Sequence, residues 1–371
     1  MRAAARHLYI HLPFCASRCG YCDFVTVVGH GDLHGAYVDA ILGELELERH
    51  LLVPELDSVY LGGGTPTLTA PRELERLLAA LPPAREVTVE ANPETVTPSL
   101  AALLSRNRVN RVSIGAQSFN TVLLDVLDRR ARPNDVRLAL HRLRDAGIDN
   151  RSLDLIYGIP GQTPADLARD LDEALALEPE HLSAYELEAK PGTRFTHAHG
   201  AELLRQADEL ESYIELVVDR LTAAGYRWYE TANFCRLPDR AGGRDLRARH
   251  NLGYWLGHDY LGLGVGAVST IENRRWRNAP SLPRYLAAHA RRERPEREVE
   301  TLSASEQATE RVMLGLRLDQ PLPLAAVRDV VDLEALARLA ERGLAVHREG
   351  SLTLTPRGRL LGGGVTARLL A

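Results

Sequence analysis

Lysine is nearly absent. Lys190 is the only one, so the basic side chains are almost all arginine. That imbalance reads as a bias of genome composition, not as arginine-specific chemistry. Positive charge is not in excess either. The 45 basic and 50 acidic residues give a formal net charge of −5, which gives no support to a general nucleic-acid binder. No apolar run approaches the ~20 residues that a membrane span needs. The N-terminus lacks the apolar core of a signal peptide, so a cytoplasmic protein is expected. Cysteine is scarce, with four residues, and three of them fall between positions 15 and 22. That usage fits a reducing compartment better than a disulfide framework. Cys235 stands alone and reads as a small buried apolar residue. The rest is ordinary: 45% hydrophobic and 26% charged residues over 371 positions describe a soluble globular chain. There is room for one large α/β domain and a smaller appendage.

The three clustered cysteines lie in His11-Leu-Pro-Phe-Cys-Ala-Ser-Arg-Cys-Gly-Tyr-Cys-Asp-Phe24. Cys15, Cys19 and Cys22 take Cys-x3-Cys-x2-Cys spacing, just after the apolar run Leu8-Tyr9-Ile10. Three thiolates in a turn-rich loop can converge on one inorganic centre, with Gly20 easing the bend. Three ligands would leave one iron of a [4Fe–4S] cluster open to an outside ligand. Two other readings use the same residues. Zinc could take the thiolates plus His11 or His30, although paired Cys-x2-Cys knuckles are its commoner spacing. A disulfide would strand one thiol.

From Leu8 to about Leu187, short β-branched runs alternate with helical patterns. Strands are expected at Leu8–His11, Ser58–Leu61, Glu86–Glu90, Arg111–Ile114, Ser152–Ile156 and His181–Leu187. Helices are expected at Tyr37–Leu52, Pro71–Leu81, Pro98–Arg106, Asn134–Ala146 and Pro164–Leu177. Such alternation makes a parallel α/β sheet, doubly wound or a barrel, and periodicity does not choose between them. Polar residues just past each strand suggest a partial (βα)6 TIM-like barrel with its site at the strands' C-terminal ends. Beyond it, Lys190–Arg194 reads as a turn, Glu202–Ala224 as one long helix and Tyr226–Ala232 as a strand. Leu237–Arg249 reads as a mobile surface loop and Arg291–Glu300 as a linker. Helices at Ser305–Leu316 and Leu333–Arg342, then a hairpin over Gly343–Thr355, suggest a small α+β winged-helix-like domain. Its hairpin is not basic, so a lid or docking role is expected rather than DNA binding. The divisions are residues 1–190, 191–290 and 300–371.

The cysteine loop resembles the signature of the radical S-adenosylmethionine (SAM) family. With Tyr9 before it and Tyr21-Cys22-Asp23-Phe24 within it, it is most similar to the branch holding coproporphyrinogen dehydrogenases and haem chaperones. The resemblance implies the partial barrel and a [4Fe–4S] cluster on Cys15, Cys19 and Cys22. It also implies that SAM chelates the open iron, whose electron cleaves the sulfonium to a 5′-deoxyadenosyl radical. The Gly-rich end of the second strand, with Gly63, Gly64 and Thr65, corresponds to the stretch that receives SAM's amino group. Positions matching Tyr9, Tyr21, Glu90, Gln117, Arg129 and Asp154 line SAM sites in the family. Read without it, Glu90 is as readily a solvated strand-end charge, and Arg129 and Asp154 could simply pair.

Two departures separate this chain from the dehydrogenases. They carry a further cysteine two residues after the third ligand, where this chain has Phe24, and a longer segment before the cluster. The chain also holds Arg249-His-Asn-Leu-Gly-Tyr-Trp255, similar to a His-Asn-x-x-Tyr-Trp motif of the chaperones. An imidazole such as His250 is a natural haem ligand, and Arg244, Arg247 and Arg249 could meet propionates. A hydrogen-bonding structural role is the competing reading of His250. Where the branch usually reads His-Ser, this chain has Val268-Ser269. The resemblance implies a haem-binding protein that delivers haem to respiratory acceptor proteins. Association with a membrane surface and a homodimer are both compatible with it. The alternative is an oxygen-independent coproporphyrinogen III dehydrogenase, and a winged-helix regulator is a weaker third.

Overall fold

In the computed structural model, which describes residues 4–190 and 194–370, all six expected strands form. They are β1 (His7–Leu12), β2 (Leu56–Gly63), β3 (Ala84–Ala91), β4 (Arg111–Gln117), β5 (Arg151–Tyr157) and β6 (His181–Glu186). Each pairs in parallel with the next. The sheet continues through β7 (Tyr226–Trp228), β8 (Asn233–Arg236), β9 (Tyr260–Leu263), β10 (Val268–Ile271), β11 (Arg274–Asn278) and β12 (Arg297–Thr301). The order across its twelve strands is β12-β11-β10-β9-β1-β2-β3-β4-β5-β6-β8-β7. Strand β9 lies parallel to β1, and antiparallel strands finish both edges.

Alternation along the strands separates two environments. Leu8, Ile10 and Leu12, Val59 and Leu61, Val87 and Val89, and Val112 and Ile114 are buried in the main apolar core. Crossover helices pack over this face, among them His34–Glu48, Pro71–Ala80, Pro98–Arg106, Pro133–Asp145 and Pro164–Ala176. Two of them open on a side-chain cap and a proline in the first turn, at Thr97-Pro98 and Thr163-Pro164. The opposite strand faces carry His7, Tyr9, Ser58, Tyr60, Glu86, Glu90, Arg111, Ser113, Asp154 and His181. They bond across strands: Tyr60 to Glu90 at 2.7 Å, Ser113 to Asp154 at 3.1 Å, Ser152 to His181 at 2.8 Å. The barrel's interior is polar.

Past β6 the structure departs from expectation at a helix, a strand, a loop and a linker. The turn expected at Lys190–Arg194 falls on residues 191–193, outside the described residues. Glu202–Ala224 is not one helix: α-helices Arg194–Gln206 and Leu210–Ala223 flank a 3-10 turn. Tyr226–Ala232 is not one strand, because the Glu230 carboxylate accepts from the Ala232 amide at 2.8 Å and turns the chain from β7 into β8. Leu237–Arg249 is fastened: Leu246 and Ala248 are buried, and Arg244 reaches Asp149 at 2.7 Å.

The supposed linker is the edge strand β12, and one arginine fixes it. Arg297 meets Glu44 at 3.1 Å and Glu48 at 3.0 Å, both buried on helix His34–Glu48. Asn278, Tyr285 and the Gly264 amide also donate to Glu44, at 2.7–2.9 Å. A charged run read as a linker is therefore held by a buried counter-charge that the local sequence does not reveal. Beyond it, Ala304–Gly315 and Leu333–Glu341 are helical, and Ala345–Arg348 with Ser351–Leu354 form the expected hairpin, joined by Leu322–Pro323. These elements enclose a second apolar core around Val312, Leu336, Leu352 and Leu369. Glu44→Ala leaves Arg297 on Glu48 but strands the buried Tyr285 hydroxyl and Gly264 amide, so it should lower stability by roughly 1–3 kcal/mol for each in chemical denaturation.

Candidate cluster and cofactor site

The cysteine loop leaves β1 at its C-terminal end and is seated before it turns. Phe14–Cys15 pairs in parallel with Val27–Val28. On its other side the Gly64 amide donates to the Leu12 carbonyl and the Thr65 amide to the Phe14 carbonyl, each at 2.8 Å. Gly64 is required by space: a Cβ there would lie 2.7 Å from the Pro13 carbonyl and 2.8 Å from that of Phe14. These are backbone atoms, so the contact cannot be relieved by a rotamer change. Gly20 has a different reason from the bend expected of it. Its φ is not positive, but a Cβ would meet Asp128 at 2.9 Å and Phe195 at 3.1 Å.

The three cysteines are free, half-buried thiols on one wall of a cleft of about 500 Å3. Thr65 Oγ1 lies 3.8 Å from Cys15 Sγ, and Arg129 Nη1 lies 3.7 Å from Cys19 Sγ. Burial raises the Cys15 and Cys22 thiols above their ordinary range, so taking up iron would release protons there. A chain of polar contacts links the units. Asn92 donates to Thr65 Oγ1 at 3.2 Å, and Arg129 Nη2 donates to Asn92 at 2.9 Å and to the Gly115 carbonyl at 2.8 Å. Arg129 Nε is buried without a partner among the described residues, a donor left over on the cleft wall.

The zinc reading loses His11 as a donor. His11 Nε2 meets the Val25 carbonyl at 2.7 Å, which can only accept, so Nε2 carries the proton. Burial lowers its pKa and keeps the ring neutral, leaving Nδ1 to accept from the Tyr9 hydroxyl at 3.0 Å. No lone pair is free. One tetrahedral ion also needs sulfurs about 3.8 Å apart, and no three His, Cys, Asp or Glu among the described residues are grouped to hold one ion. A cubane asks less convergence, since each thiolate takes its own iron.

Of the sequence-picked residues, Tyr21, Gly63, Gly64, Thr65, Glu90, Gln117, Arg129 and Asp154 line the cleft with the cysteines. Gln117 is aimed by an irregularity in β4, where the register shifts after Gly115 and Gln117 takes φ 66°. Glu90 accepts from the Gly63 amide at 3.1 Å as well as from Tyr60. Burial pushes its carboxyl up to about 7 against those donated bonds, and the neighbouring Asp154 charge adds to the rise. Tyr9 is not on the cleft; it stacks beneath, on Tyr60 at 6.2 Å.

The structure does not bring His250 there either. It is 2% exposed in the N-terminal half of the barrel, with Nδ1 on Ser58 at 2.8 Å and Nε2 on Tyr254 at 3.0 Å. Both nitrogens are engaged, so in this arrangement it offers haem iron no lone pair. Arg244 and Arg247 are likewise taken by Asp149 and Asp245. Missing from the sequence reading were Asn92, which ties Thr65 to Arg129, and Tyr185 and Lys190 on the cleft wall. Period-two polarity in His7-x-Tyr9-x-His11 and Glu86-x-Thr88-x-Glu90 was the signal available for the polar interior.

Residues 9–174 match the radical SAM superfamily, and residues 302–361 match the HemN C-terminal domain. A heme chaperone HemW of Mycobacterium tuberculosis is 39% identical over 376 residues, covering 98% of this chain and 94% of its own. One from Bacillus subtilis is 33% identical over 384 residues, covering 98% of each. The chain belongs to the HemW family. Its fold is that of coproporphyrinogen III oxidase (HemN) from Escherichia coli, with a TM-score of 0.80 and 24% identity over 99% of this chain and 90% of that one. The cofactors of a radical SAM protein such as this HemW-family chain are a [4Fe–4S] cluster and SAM. The thiol wall, the spare Arg129 donor and the cleft fit that pair.

Two outcomes follow. Gly64→Ala should displace the loop and cut iron and sulfide content after reconstitution, measured against the total protein. Glu90 binds its proton more tightly folded than unfolded, so its contribution is present at acid pH and is lost as pH rises through about 7. Glu90→Gln should remove that fall in cluster-free stability between pH 5 and pH 8, followed by denaturant midpoints.

Proposed function

We propose that the chain binds haem and delivers it to haem-accepting respiratory proteins, with a SAM-liganded [4Fe–4S] cluster in the barrel. The observation that carries this reading is identity of 33–39% along nearly the whole chain to proteins named as heme chaperones. Cys15, Cys19 and Cys22 hold the cluster, which supplies a low-potential electron able to cleave SAM's sulfonium. Glu90 and the backbone of Gly63–Thr65 receive the SAM amino group, a carboxylate and a carbonyl edge accepting from its N–H donors. Gln117, Arg129 and Asp154 meet SAM's polar groups, with Tyr21 on the wall. Tyr9 acts from below, by fixing His11. Water is kept out by the apolar packing of Tyr21 with Phe195 and Leu187.

No helix among the described residues is long and apolar enough to cross a membrane. The protein works in the cytoplasm, reaching membrane-bound acceptors from the surface. The alternative, oxygen-independent coproporphyrinogen III dehydrogenase, shares the fold. Against it stands Phe24, 65% exposed at the lip of the cleft, where the dehydrogenases resembled carry a further cysteine.

The test uses anaerobic protein with reconstituted cluster. It is titrated with haem and, in parallel, given coproporphyrinogen III, SAM and a reductant. Haem binding without protoporphyrinogen formation is expected; decarboxylation coupled to 5′-deoxyadenosine release would make the chain an enzyme of porphyrin synthesis. Cys19→Ala should lose most of the iron while retaining haem binding, read by metal analysis and absorption.

A further inference from the structure

A second cleft, of about 750 Å3, lies between helix Arg249–Trp255 and helix Ala304–Gly315. Tyr254, Trp255 and Tyr260 supply aromatic surface, and Leu302, Met313 and Leu314 face the same space. Haem makes three demands: flat apolar surface, a nitrogen or sulfur donor for iron, and cations for two propionates.

This cleft meets the first two and offers one unpaired cation for a propionate. His258 on its wall is exposed, and its Nδ1 bonds His7 Nε2 at 3.1 Å, with the two rings stacked at 5.4 Å. Its Nε2 has no hydrogen-bond partner among the described residues. An imidazole fixed through one nitrogen and open at the other is how a metal-ligating histidine is held. The fixing continues inward. His7 Nδ1 bonds Ser58 Oγ at 2.8 Å, Ser58 bonds His250 at 2.8 Å, and His250 bonds Tyr254 at 3.0 Å. Tyr254 lines the same cleft, so the relay begins and ends on it. Arg311 is half-buried on the wall, reaches only the Trp255 carbonyl at 3.5 Å, and has no carboxylate partner among the described residues. Neighbouring Arg275, by contrast, is neutralised by Glu310 at 2.6 Å.

We propose that this cleft holds haem, with His258 Nε2 as an iron ligand and Arg311 as the partner of a propionate. The inference rests on the haem-carrier reading and gives that cargo a place distinct from the cysteine loop. It also gives the buried His250 motif a part, since Tyr254 and Trp255 form the wall while His250 anchors the relay.

The test titrates the full-length protein with ferric protoporphyrin IX, followed by Soret absorption and electron paramagnetic resonance. His258→Ala should change the axial-ligand signature and weaken binding about tenfold or more, and added imidazole should restore the spectrum. Arg311→Ala should weaken binding of haem but not of its propionate dimethyl ester. Unchanged spectrum and affinity in His258→Ala would overturn the site while leaving haem binding intact. Failure of the unmodified chain to bind haem would overturn the carrier reading and this inference with it.

Discussion

The close approach of Gly64 to the Pro13 and Phe14 carbonyls is the contact on which the site depends. It lets the end of β2 lie against the root of the cysteine loop, with two amide bonds across the join. From Thr65 a polar chain runs through Asn92 to Arg129 and on to Cys19, binding three βα units to one loop. Each bond is worth only about 1 kcal/mol net, and charged ones about twice that. Their effect lies in geometry: three flexible thiols are referred to strand ends that the apolar core holds rigid.

The polar interior is the second constraint. Barrel interiors are ordinarily packed with layers of Val, Ile and Leu. Here Glu86, Glu90, Asp154 and Arg111 occupy that space, although a buried charge costs several kcal/mol before its partners offset it. Stability therefore comes from the outer face and the helices. The upper interior opens on the cluster cleft through Glu90 and Asp154. The lower interior, through His7, Ser58 and His250, connects to a different cleft. One barrel thus serves two sites from its two ends.

Much of this was legible in sequence because the signals were local. Cysteine spacing, the Gly62–Thr65 stretch and β-branched runs each act within a few residues, and the six strands followed from them. What escaped was long-range. The Arg291–Glu300 run read as a linker because Glu44 and Glu48, which hold Arg297, lie some two hundred and fifty positions away. Glu230 turning β7 into β8 was hidden by an uninterrupted strand-like pattern. His250 was conspicuous as part of a motif, and only packing showed that both its nitrogens were committed. His258, eight residues on, had no motif to mark it.

The most direct measurement is the electron paramagnetic resonance spectrum of the reduced, reconstituted protein with and without SAM. If three cysteines hold the cluster and leave one iron open towards Glu90 and Gly63, adding SAM should shift the signal, and Glu90→Gln should weaken the SAM concentration dependence. A spectrum indifferent to saturating SAM would mean that the fourth iron is already occupied, and the account of this cleft would fail.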